Sequence, residues 1–333
     1  MLYLHGLGHF HPENVITNRF LNELDIGSSE EWILERVGIR SRRTSLPLDY
    51  IKTTKNRDPR AAFEASLCAN AQAGARAAHL ALKRAGIKPE DLGLIISGSS
   101  APDHVAPAEA ATVAAEIGID IPCFDLNSAC STFGMQLNFL NNMKPETLPP
   151  YILVVNPESL THVVDYSDRR VAPLFGDGSS AAVVSASVPS KMVFEAFFCD
   201  SKPSSWDMVR IPRLGYFGQS GSAVQGFAIR KTTESLRKLQ ETYPINSGRF
   251  KFVGHQANFG MLKTVCERCN MSEENHWHNV VDYGNTGCSS APCVLSQNWD
   301  RFRPGDHIAL VIAGAGLTWA HTMLKIQGTV IGD

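Results

Sequence analysis

The chain has 333 residues, of which 44% are hydrophobic and 19% charged, and its formal net charge is −2. This length fits one large α/β domain or two similar halves, and the charge balance gives no overall reason to expect a nucleic-acid partner. No run of 18 apolar residues occurs, so no transmembrane helix is expected. The first residues lack a basic segment and a signal cleavage site, which predicts a cytoplasmic protein.

The first hundred residues alternate between strand and helix patterns. Residues 1–10 are typical of a short apolar strand. The Ser-Ser-Glu-Glu sequence that begins at Ser28 is typical of a helix start, and Gly38 is expected to end that helix. The Ala-rich segment 64–85 predicts one long helix, and the apolar run 92–98 predicts a strand that is buried on both faces.

Residues 40–60 form the least regular part of the chain. From residue 36 to residue 60 there are eight basic side chains and only two acidic ones. In a protein with a negative net charge, this excess suggests a surface for an anion or an acidic partner, and a solvated loop is the equally weighted alternative. The basic residues are Arg36, Arg40, Arg42, Arg43, Lys52, Lys55, Arg57 and Arg60.

The stretch 119–143 predicts a strand, a sharp turn and a helix. Apolar residues 119–124 are followed by small residues and then by apolar positions at helical spacing. Cys130 lies in the turn, near the expected helix start, where free N–H groups and the helix dipole favour an anion. We therefore expect its thiol to be biased towards the thiolate, although most lone cysteines are small core residues.

Strands and helices begin to alternate again near residue 190. This pattern predicts a layered α/β fold with mainly parallel central strand pairs. Strands are expected at 192–198, 251–254, 280–281, 308–312 and 323–326, and helices at 229–241, from residue 257 and after Cys288.

The eight cysteines are more typical of free thiols than of disulfides, because no secretion signal is visible. Four of them, together with two histidines, have spacings that resemble a zinc site. Packing is the favoured explanation, since two of the cysteines fall in an amphipathic helix and two lie among small residues, and no metal is expected. The residues concerned are Cys266, Cys269, Cys288, Cys293, His276 and His278.

Two further stretches place polar side chains at the ends of apolar segments. His255 follows the strand predicted at 251–254, and Asn285 lies in the tight polar turn of residues 282–292. Catalytic side chains in α/β sheets gather at strand ends of this kind. Taken alone, His255 is more often a hydrogen-bonded structural histidine, and Asn285 is more often a turn residue.

Together with Cys130, these stretches resemble the type III β-ketoacyl-acyl-carrier-protein synthases, which are condensing enzymes with the thiolase fold. The resemblance covers essentially the whole chain. Asn285 stands where thiolases have a second Cys and elongating synthases a second His, and the Gly-rich segment near the end differs from plant-type polyketide synthases. The motifs, in order, are Glu31-Trp32-Ile33 with Gly38-Ile39-Arg40, Ser128-Ala129-Cys130, Asp168-Arg169, Phe175-Gly176-Asp177-Gly178, His255-Gln256-Ala257-Asn258, Gly284-Asn285-Thr286 and Gly314-Ala315-Gly316-Leu317-Thr318-Trp319.

The resemblance implies a duplicated α/β fold of the thiolase type, with five layers in the order α-β-α-β-α. It divides the chain into residues 1–190, which carry the nucleophilic Cys130, and residues 191–333, which carry the histidine and the asparagine. It also implies a homodimer and no permanently bound cofactor.

The resemblance further implies a reaction in two steps. Cys130 would take an acyl group from a thioester of coenzyme A or carrier protein, with the backbone N–H groups of Cys130 and Gly316 as oxyanion donors. A malonyl thioester on acyl carrier protein would then lose CO₂, and the enolate would be stabilised by His255 and Asn285. An Asn side chain cannot act as a base, which favours decarboxylative condensation.

Both substrates would arrive on the phosphopantetheine arm of coenzyme A or acyl carrier protein. By resemblance, Trp32 would stack on an adenine ring, Arg36 and Arg169 would pair with phosphates, and Asn258 would lie beside the arm. The chain departs from the family pattern at Val37, Gly226 and Gly260, which replace a Thr, an Asn and an Arg. We therefore expect altered docking of the carrier.

The gate loop, residues 101–107, has the small residues Val105 and Ala106 where a Phe from the partner subunit usually limits the acyl pocket. This predicts a wider acyl tunnel. Glu109 is a candidate base, but a solvated acid at a helix start is the favoured explanation. Open alternatives are a natural-product ketosynthase that joins two acyl chains on carrier proteins without decarboxylation, an acyltransferase to oxygen or nitrogen nucleophiles, an idle heterodimer partner and a Cys-His hydrolase.

Overall fold

The structure, a computed structural model, describes residues 1–213, 215–243 and 249–329. The helices in these residues are α1 (Asn18–Glu23), α2 (Glu30–Val37), α3 (Leu48–Thr54), α4 (Pro59–Ala65), α5 (Asn70–Ala85), α6 (Glu109–Ile117), α7 (Thr132–Asn141), α8 (Gly221–Thr242), α9 (Phe259–Arg268), α10 (Val280–Tyr283) and α11 (Ser290–Gln297). The strands are β1 (Leu2–Phe10), β2 (Asn14–Thr17), β3 (Ser41–Thr44), β4 (Leu94–Ser97), β5 (Cys123–Asp125), β6 (Ile152–Glu158), β7 (Gly178–Ser185), β8 (Met192–Ser201), β9 (Val209–Arg210), β10 (Gly218–Gln219), β11 (Phe250–Gly254), β12 (His307–Gly314) and β13 (Thr318–Ile326).

Nine of the described strands form one sheet in the order β11-β12-β13-β8-β1-β7-β6-β4-β5. From β1 through β7 and β6 to β4 the pairings are antiparallel, antiparallel and parallel, and the same sequence runs from β8 through β13 and β12 to β11. The two half-sheets meet where β1 pairs with β8. This repeated pattern supports the predicted duplication, and the division between residues 190 and 191 stays a prediction.

Helices cover both faces of each half-sheet. Helices α5 and α6 pack on the outside of the first half-sheet, α7 and α11 lie between the two, and α8 and α9 pack on the outside of the second. Neighbouring residues of one strand face different layers: Val154 faces the middle helices and Val155 the outer ones, and in β12 Ile312 and Val311 do the same. The five-layered α-β-α-β-α order of the predicted thiolase-like fold is thus present.

Several element boundaries follow from local sequence signals, as predicted. In α2, Ser29 Oγ accepts a hydrogen bond from the backbone N–H of Trp32 at 3.1 Å, and Gly38 ends the helix with φ +68°. This left-handed conformation costs little in glycine, which has no Cβ. None of the helices in the described parts of the chain is both long and apolar enough to cross a membrane.

The prediction that residues 40–60 are irregular was wrong, because they contain β3, α3 and the start of α4. Arg42 points inward from β3 and is fully buried, and its guanidinium donates to Pro173 O and to Asn18 Oδ1. Arg43 lies over the ring of Tyr283, 5.7 Å from its centre. The eight basic residues therefore do not form one basic surface.

Three other predictions were also wrong. Segment 64–85 contains two helices, since α4 ends at Ala65 and α5 begins at Asn70. The strand predicted at 280–281 is the short helix α10, because two apolar residues show no period. Five of the eight described pairings in the large sheet are antiparallel, since an apolar run does not reveal the direction of the neighbouring strand.

The close contact between β1 and α5 predicts that a side chain at Gly8 destabilises the fold. A Cβ added at Gly8 would lie 1.8 Å from Ala77 O and 2.7 Å from Ala81 N, and backbone atoms cannot rotate away. Gly8→Ala should therefore lower the free energy of unfolding by about 3 kcal/mol in a urea titration. Gly226→Ala, in α8, is the control and should keep or raise stability, because apart from the neighbouring helix backbone no atom lies within 4 Å of the new methyl group. Equal urea midpoints for the two variants would contradict the predicted clash.

Candidate active site

Cys130 lies in the sharp turn between β5 and α7, as predicted from the sequence. The preceding Ala129 has φ +48°, a conformation that residues with a Cβ rarely adopt. Its N–H donates to Asn127 Oδ1 at 2.9 Å and its carbonyl accepts from Thr132 Oγ1 at 2.6 Å. These bonds hold the turn in place, so that it presents Cys130 to a cavity.

The protonation state of Cys130 differs from the prediction. Burial raises the pKa of its thiol to about 12, and the negative charge of Glu158 acts in the same direction. The expectation of a thiolate bias was wrong for the free protein. Helix α7 begins only at Thr132, and the field at its end does not compensate for the loss of water around the sulfur.

His255 directly follows the end of β11, as predicted from the sequence. Its backbone N–H donates to Val311 O at 2.9 Å, which continues the pairing of β11 with β12. The ring is buried, with Nδ1 3.4 Å from Ser290 Oγ, and burial lowers the pKa of the imidazole to about 4. The ring is therefore neutral near pH 7.

Asn285 is held by its backbone and by its side-chain oxygen. Its N–H donates to Leu174 O at 2.9 Å, and its carbonyl accepts from the N–H of Gly176 at 3.1 Å. Its Oδ1 accepts from the backbone N–H of Gly287 at 3.0 Å. Since the oxygen is engaged in this turn, the Nδ2 amide is the group that remains to act as a donor.

A cavity of about 870 Å³ brings most of the predicted residues together. The backbone of Gly316 is not part of its wall, although its neighbours Ala315 and Leu317 are, and Val105 and Ala106 do not line it either. The predicted residues that line it are Cys130, His255, Asn285, Trp32, Arg36, Arg169 and Asn258.

Two of the predicted binding residues are in direct contact. The guanidinium carbon of Arg169 lies 4.5 Å from the centre of the Trp32 ring, and Nη1 donates to Gly27 O. Asn258 has a local role as well, because its Oδ1 accepts from the N–H of Met261 at 2.8 Å and so caps α9. Aromatic, cationic and amide groups therefore stand together along the wall of the cavity.

The sequence matches one family of known proteins. Residues 124–202 match the model of 3-oxoacyl-[acyl-carrier-protein (ACP)] synthase III, and residues 250–326 match the model of its C-terminal part. The β-ketoacyl-[acyl-carrier-protein] synthase III of Campylobacter curvus is 30% identical over 336 residues, which cover 95% of this chain and 94% of that protein. The chain belongs to the β-ketoacyl-[acyl-carrier-protein] synthase III family.

Solved structures agree with this family. The 3-oxoacyl-[acyl-carrier-protein] synthase III of Aquifex aeolicus has a TM-score of 0.85 and 28% identity, with 98% of this chain and 100% of that chain covered. The priming β-ketosynthase of the R1128 polyketide pathway has a TM-score of 0.81 and 25% identity, with 99% and 97% covered. The predicted family, fold class and enzyme class, an acyltransferase, are thereby confirmed.

Sequence reasoning about this synthase missed Glu158, at the end of β6. Its carboxylate is buried and accepts hydrogen bonds from the loop after β4 and from the backbone N–H of Cys288. Burial raises its pKa, and these hydrogen bonds act in the opposite direction. Its position at the end of an apolar strand is the same signal that singled out His255, and could have identified it.

The interpretation of Glu109 as a solvated acid was wrong. The residue is only 3% exposed, and Asn70 Nδ2 donates to its carboxyl group at 3.3 Å. Burial raises its pKa to about 8, and the nearby Asp103 acts in the same direction. It does not line the cavity, whereas Val105 of the gate loop is 74% exposed on the outside of the described chain.

The cysteines of the zinc-like pattern lie in separate parts of the synthase. Cys266 and Cys269 are buried in the core around α9, whereas the thiol of Cys288 donates to Gly98 O and that of Cys293 to Ser179 O. In residues 1–213, 215–243 and 249–329, no group of three or more His, Cys, Asp or Glu side chains is arranged to hold a metal ion.

The high pKa of Cys130 predicts how the free enzyme reacts with iodoacetamide. The thiolate fraction of a thiol with a pKa of about 12 increases about tenfold for each pH unit well below that value. Alkylation of Cys130, followed by intact mass, should therefore keep rising between pH 7 and pH 10. Cys130→Ala identifies the signal of this residue. A plateau near pH 7 to 8 would show that the thiol is activated in the free enzyme.

Proposed function

We propose that this synthase loads an acyl group on Cys130 and condenses it with a malonyl-type thioester on acyl carrier protein, releasing CO₂ and a β-ketoacyl thioester. The observation that carries the proposal is the convergence of Cys130, His255 and Asn285, from three distant segments, on one cavity. Membership of the synthase III family supports the same reaction.

The first step is transfer of the acyl group to sulfur. As Cys130 Sγ attacks the thioester carbon, its proton must leave, because the thiol is neutral at pH 7; the departing carrier thiolate takes it up. We assign the oxyanion to the N–H groups of Cys130 and Gly316. The segment that contains Gly316 passes close to Cys130, since a Cβ at Gly314 would lie 3.1 Å from the backbone nitrogen of Cys130, but Gly316 itself does not line the cavity.

The second step is decarboxylation. Breakage of the bond to CO₂ leaves an enolate, whose carbon then attacks the acyl-Cys130 carbonyl and expels the sulfur as a thiolate, which takes a proton from water to restore the neutral thiol. His255 and Asn285 would donate to the enolate oxygen from Nε2 and Nδ2. Two features support these roles: the imidazole is neutral, and the Asn285 oxygen is already engaged by Gly287. Neither group is a strong base, which agrees with loss of CO₂ as the source of the carbanion.

The mouth of the cavity fits a phosphopantetheine arm. Trp32, Arg36 and Arg169 offer a flat ring and two cations, which suit the adenine or phosphate groups of coenzyme A or the phosphate of acyl carrier protein. We infer that these carriers bring the substrates and that no further cofactor is held permanently. The use of these thioesters is our reason for proposing a cytoplasmic location.

A second candidate is a ketosynthase of natural-product biosynthesis that joins two acyl chains on carrier proteins. The small gate-loop residues Val105 and Ala106, which suit a wider acyl tunnel, favour it. An assay of CO₂ release from malonyl-carrier protein separates the two candidates, because the second candidate needs no CO₂ release.

We also propose a homodimer formed through β5. This strand ends the large sheet in the described chain, and Phe124 on it is 39% exposed. The ring packs edge to face on Phe139 of α7, which is also 39% exposed, with centres 6.4 Å apart. An unpaired strand edge beside exposed rings is suited to pairing with a second copy. The gate loop of each copy would then face its partner.

Variants of the three converging residues test the proposed reaction. Cys130→Ala should abolish the acyl adduct seen by intact mass after incubation with acyl thioesters. His255→Ala and Asn285→Ala should still form the adduct, but release CO₂ from malonyl-carrier protein about 10²- to 10³-fold more slowly, because each loses one donor to the enolate oxygen. An adduct in Cys130→Ala, or undiminished CO₂ release in both other variants, would contradict the assigned roles.

A charge at the β5 edge tests the dimer. Phe124→Glu should shift the wild-type dimer towards monomer in sedimentation equilibrium, because a carboxylate would be buried at the interface. Leu34→Glu, at an exposed position of α2 (45% exposed), is the control and should leave the mass unchanged. A wild-type protein that is monomeric at micromolar concentration would contradict the proposal.

A further inference from the structure

Glu158 is a buried carboxyl group without an opposite charge beside it. It is 1% exposed, and no ion pair reaches it from the residues that the structure describes. An isolated buried carboxylate is costly, and a side chain of this kind is retained only where hydrogen bonds compensate and where the position has a use. Its contacts show what that use is.

The carboxylate joins two loops. Oε1 accepts from the backbone N–H groups of Ser100 and Ala101, at 2.7 and 3.1 Å, and from Ser99 Oγ at 3.1 Å. Oε2 accepts from the backbone N–H of Cys288 at 3.1 Å and from Ser100 Oγ at 3.2 Å. Three backbone donors from two segments therefore fix one side chain, which ties the start of the gate loop to the turn after Asn285.

The turn from Gly287 to Ser290, called the clamp turn here, packs directly on this carboxylate. A Cβ added at Gly287, whose φ is +57°, would lie 2.3 Å from Glu158 Oε2, so only glycine allows the contact. The same glycine donates its N–H to Asn285 Oδ1 at 3.0 Å. The position of the clamp turn thus decides where the Nδ2 amide of Asn285 points.

The clamp turn also reaches His255. Ser290 Oγ lies 2.8 Å from Gly287 O and 3.4 Å from Nδ1 of the imidazole, so its single proton has two acceptors in reach. When Ser290 donates to Nδ1, the proton of the neutral ring is on Nε2, where it can serve as a donor. A displacement of the clamp turn therefore shifts the balance between the two ring tautomers.

We propose that Glu158 is a positioning residue for the decarboxylation step, which holds the clamp turn so that Asn285 and His255 both present donors to the enolate oxygen. This inference rests on the proposed function. It assigns no contact with substrate to Glu158.

Glu158 supports decarboxylation but disfavours ionisation of the Cys130 thiol, so its removal should change the two reactions in opposite directions. Its charge raises the pKa of that thiol. Removing the charge while keeping the shape should therefore increase the thiolate fraction and speed alkylation of Cys130, while the loosened clamp turn slows decarboxylation. General damage to the fold would instead speed alkylation of the other buried cysteines as well, because burial is what raises the pKa of Cys288 and Cys293.

Glu158→Gln tests the inference in the full-length enzyme. We expect CO₂ release from malonyl-carrier protein to fall at least about tenfold, and iodoacetamide alkylation of Cys130 at pH 8 to rise up to about tenfold, which corresponds to one pKa unit. Asp306→Asn is the matched control: this carboxylate is 5% exposed, accepts from the N–H of Arg303 at 2.8 Å, and lies just before β12, away from the cavity. It should change neither rate.

Ser290→Ala provides a second test if Glu158→Gln folds poorly. It removes the partner of His255 Nδ1 and should slow CO₂ release about tenfold without changing alkylation of Cys130. The inference is overturned if CO₂ release by the folded variants stays within twofold of wild type, or if Glu158→Gln lowers both rates together. Absence of decarboxylation in the wild-type enzyme would instead overturn the proposed function, and this inference with it.

Discussion

Exclusion of water from the inner end of the cavity controls the chemistry available to Cys130 and His255. Burial disfavours the charged form of each, raising the pKa of the thiol to about 12 and lowering that of the imidazole to about 4. The two side chains are therefore both neutral near pH 7, and no thiolate–imidazolium pair forms. Neutral groups that donate hydrogen bonds suit a reaction in which negative charge appears on a thioester oxygen and disappears again.

The layered fold explains how distant segments supply these groups. His255 follows β11, Cys130 lies between β5 and α7, and Asn285 precedes α11, one of the two helices between the half-sheets. The strand ends that carry these residues belong to both half-sheets. The middle helices α7 and α11 pack on strands of both half-sheets in one hydrophobic cluster. The three side chains lie in short turns at the ends of strands and helices. The backbone geometry of these turns therefore sets the direction of each side chain.

The sequence was sufficient for the three converging residues, because each stands in a polar turn at the end of an apolar segment and belongs to an ordered set of motifs. It was insufficient where the outcome depends on distant packing. The buried Arg42 is hydrogen-bonded to Asn18, and the buried Glu109 to Asn70. In each pair the two residues belong to different elements that are distant in the sequence. The direction of strand pairing and the ionisation of Cys130 likewise depend on neighbours that no local pattern reveals.

The closeness of β1 and α5 has a consequence for the whole sheet. Gly6 and Gly8 both face the backbone of α5, where a Cβ would lie 2.1 Å from Ala81 O and 1.8 Å from Ala77 O respectively. A slip of β1 by one residue would turn Leu7 towards that helix, where there is no room for it. Helix α5 thus fixes the register of β1, the strand through which the first half-sheet pairs with β8 of the second.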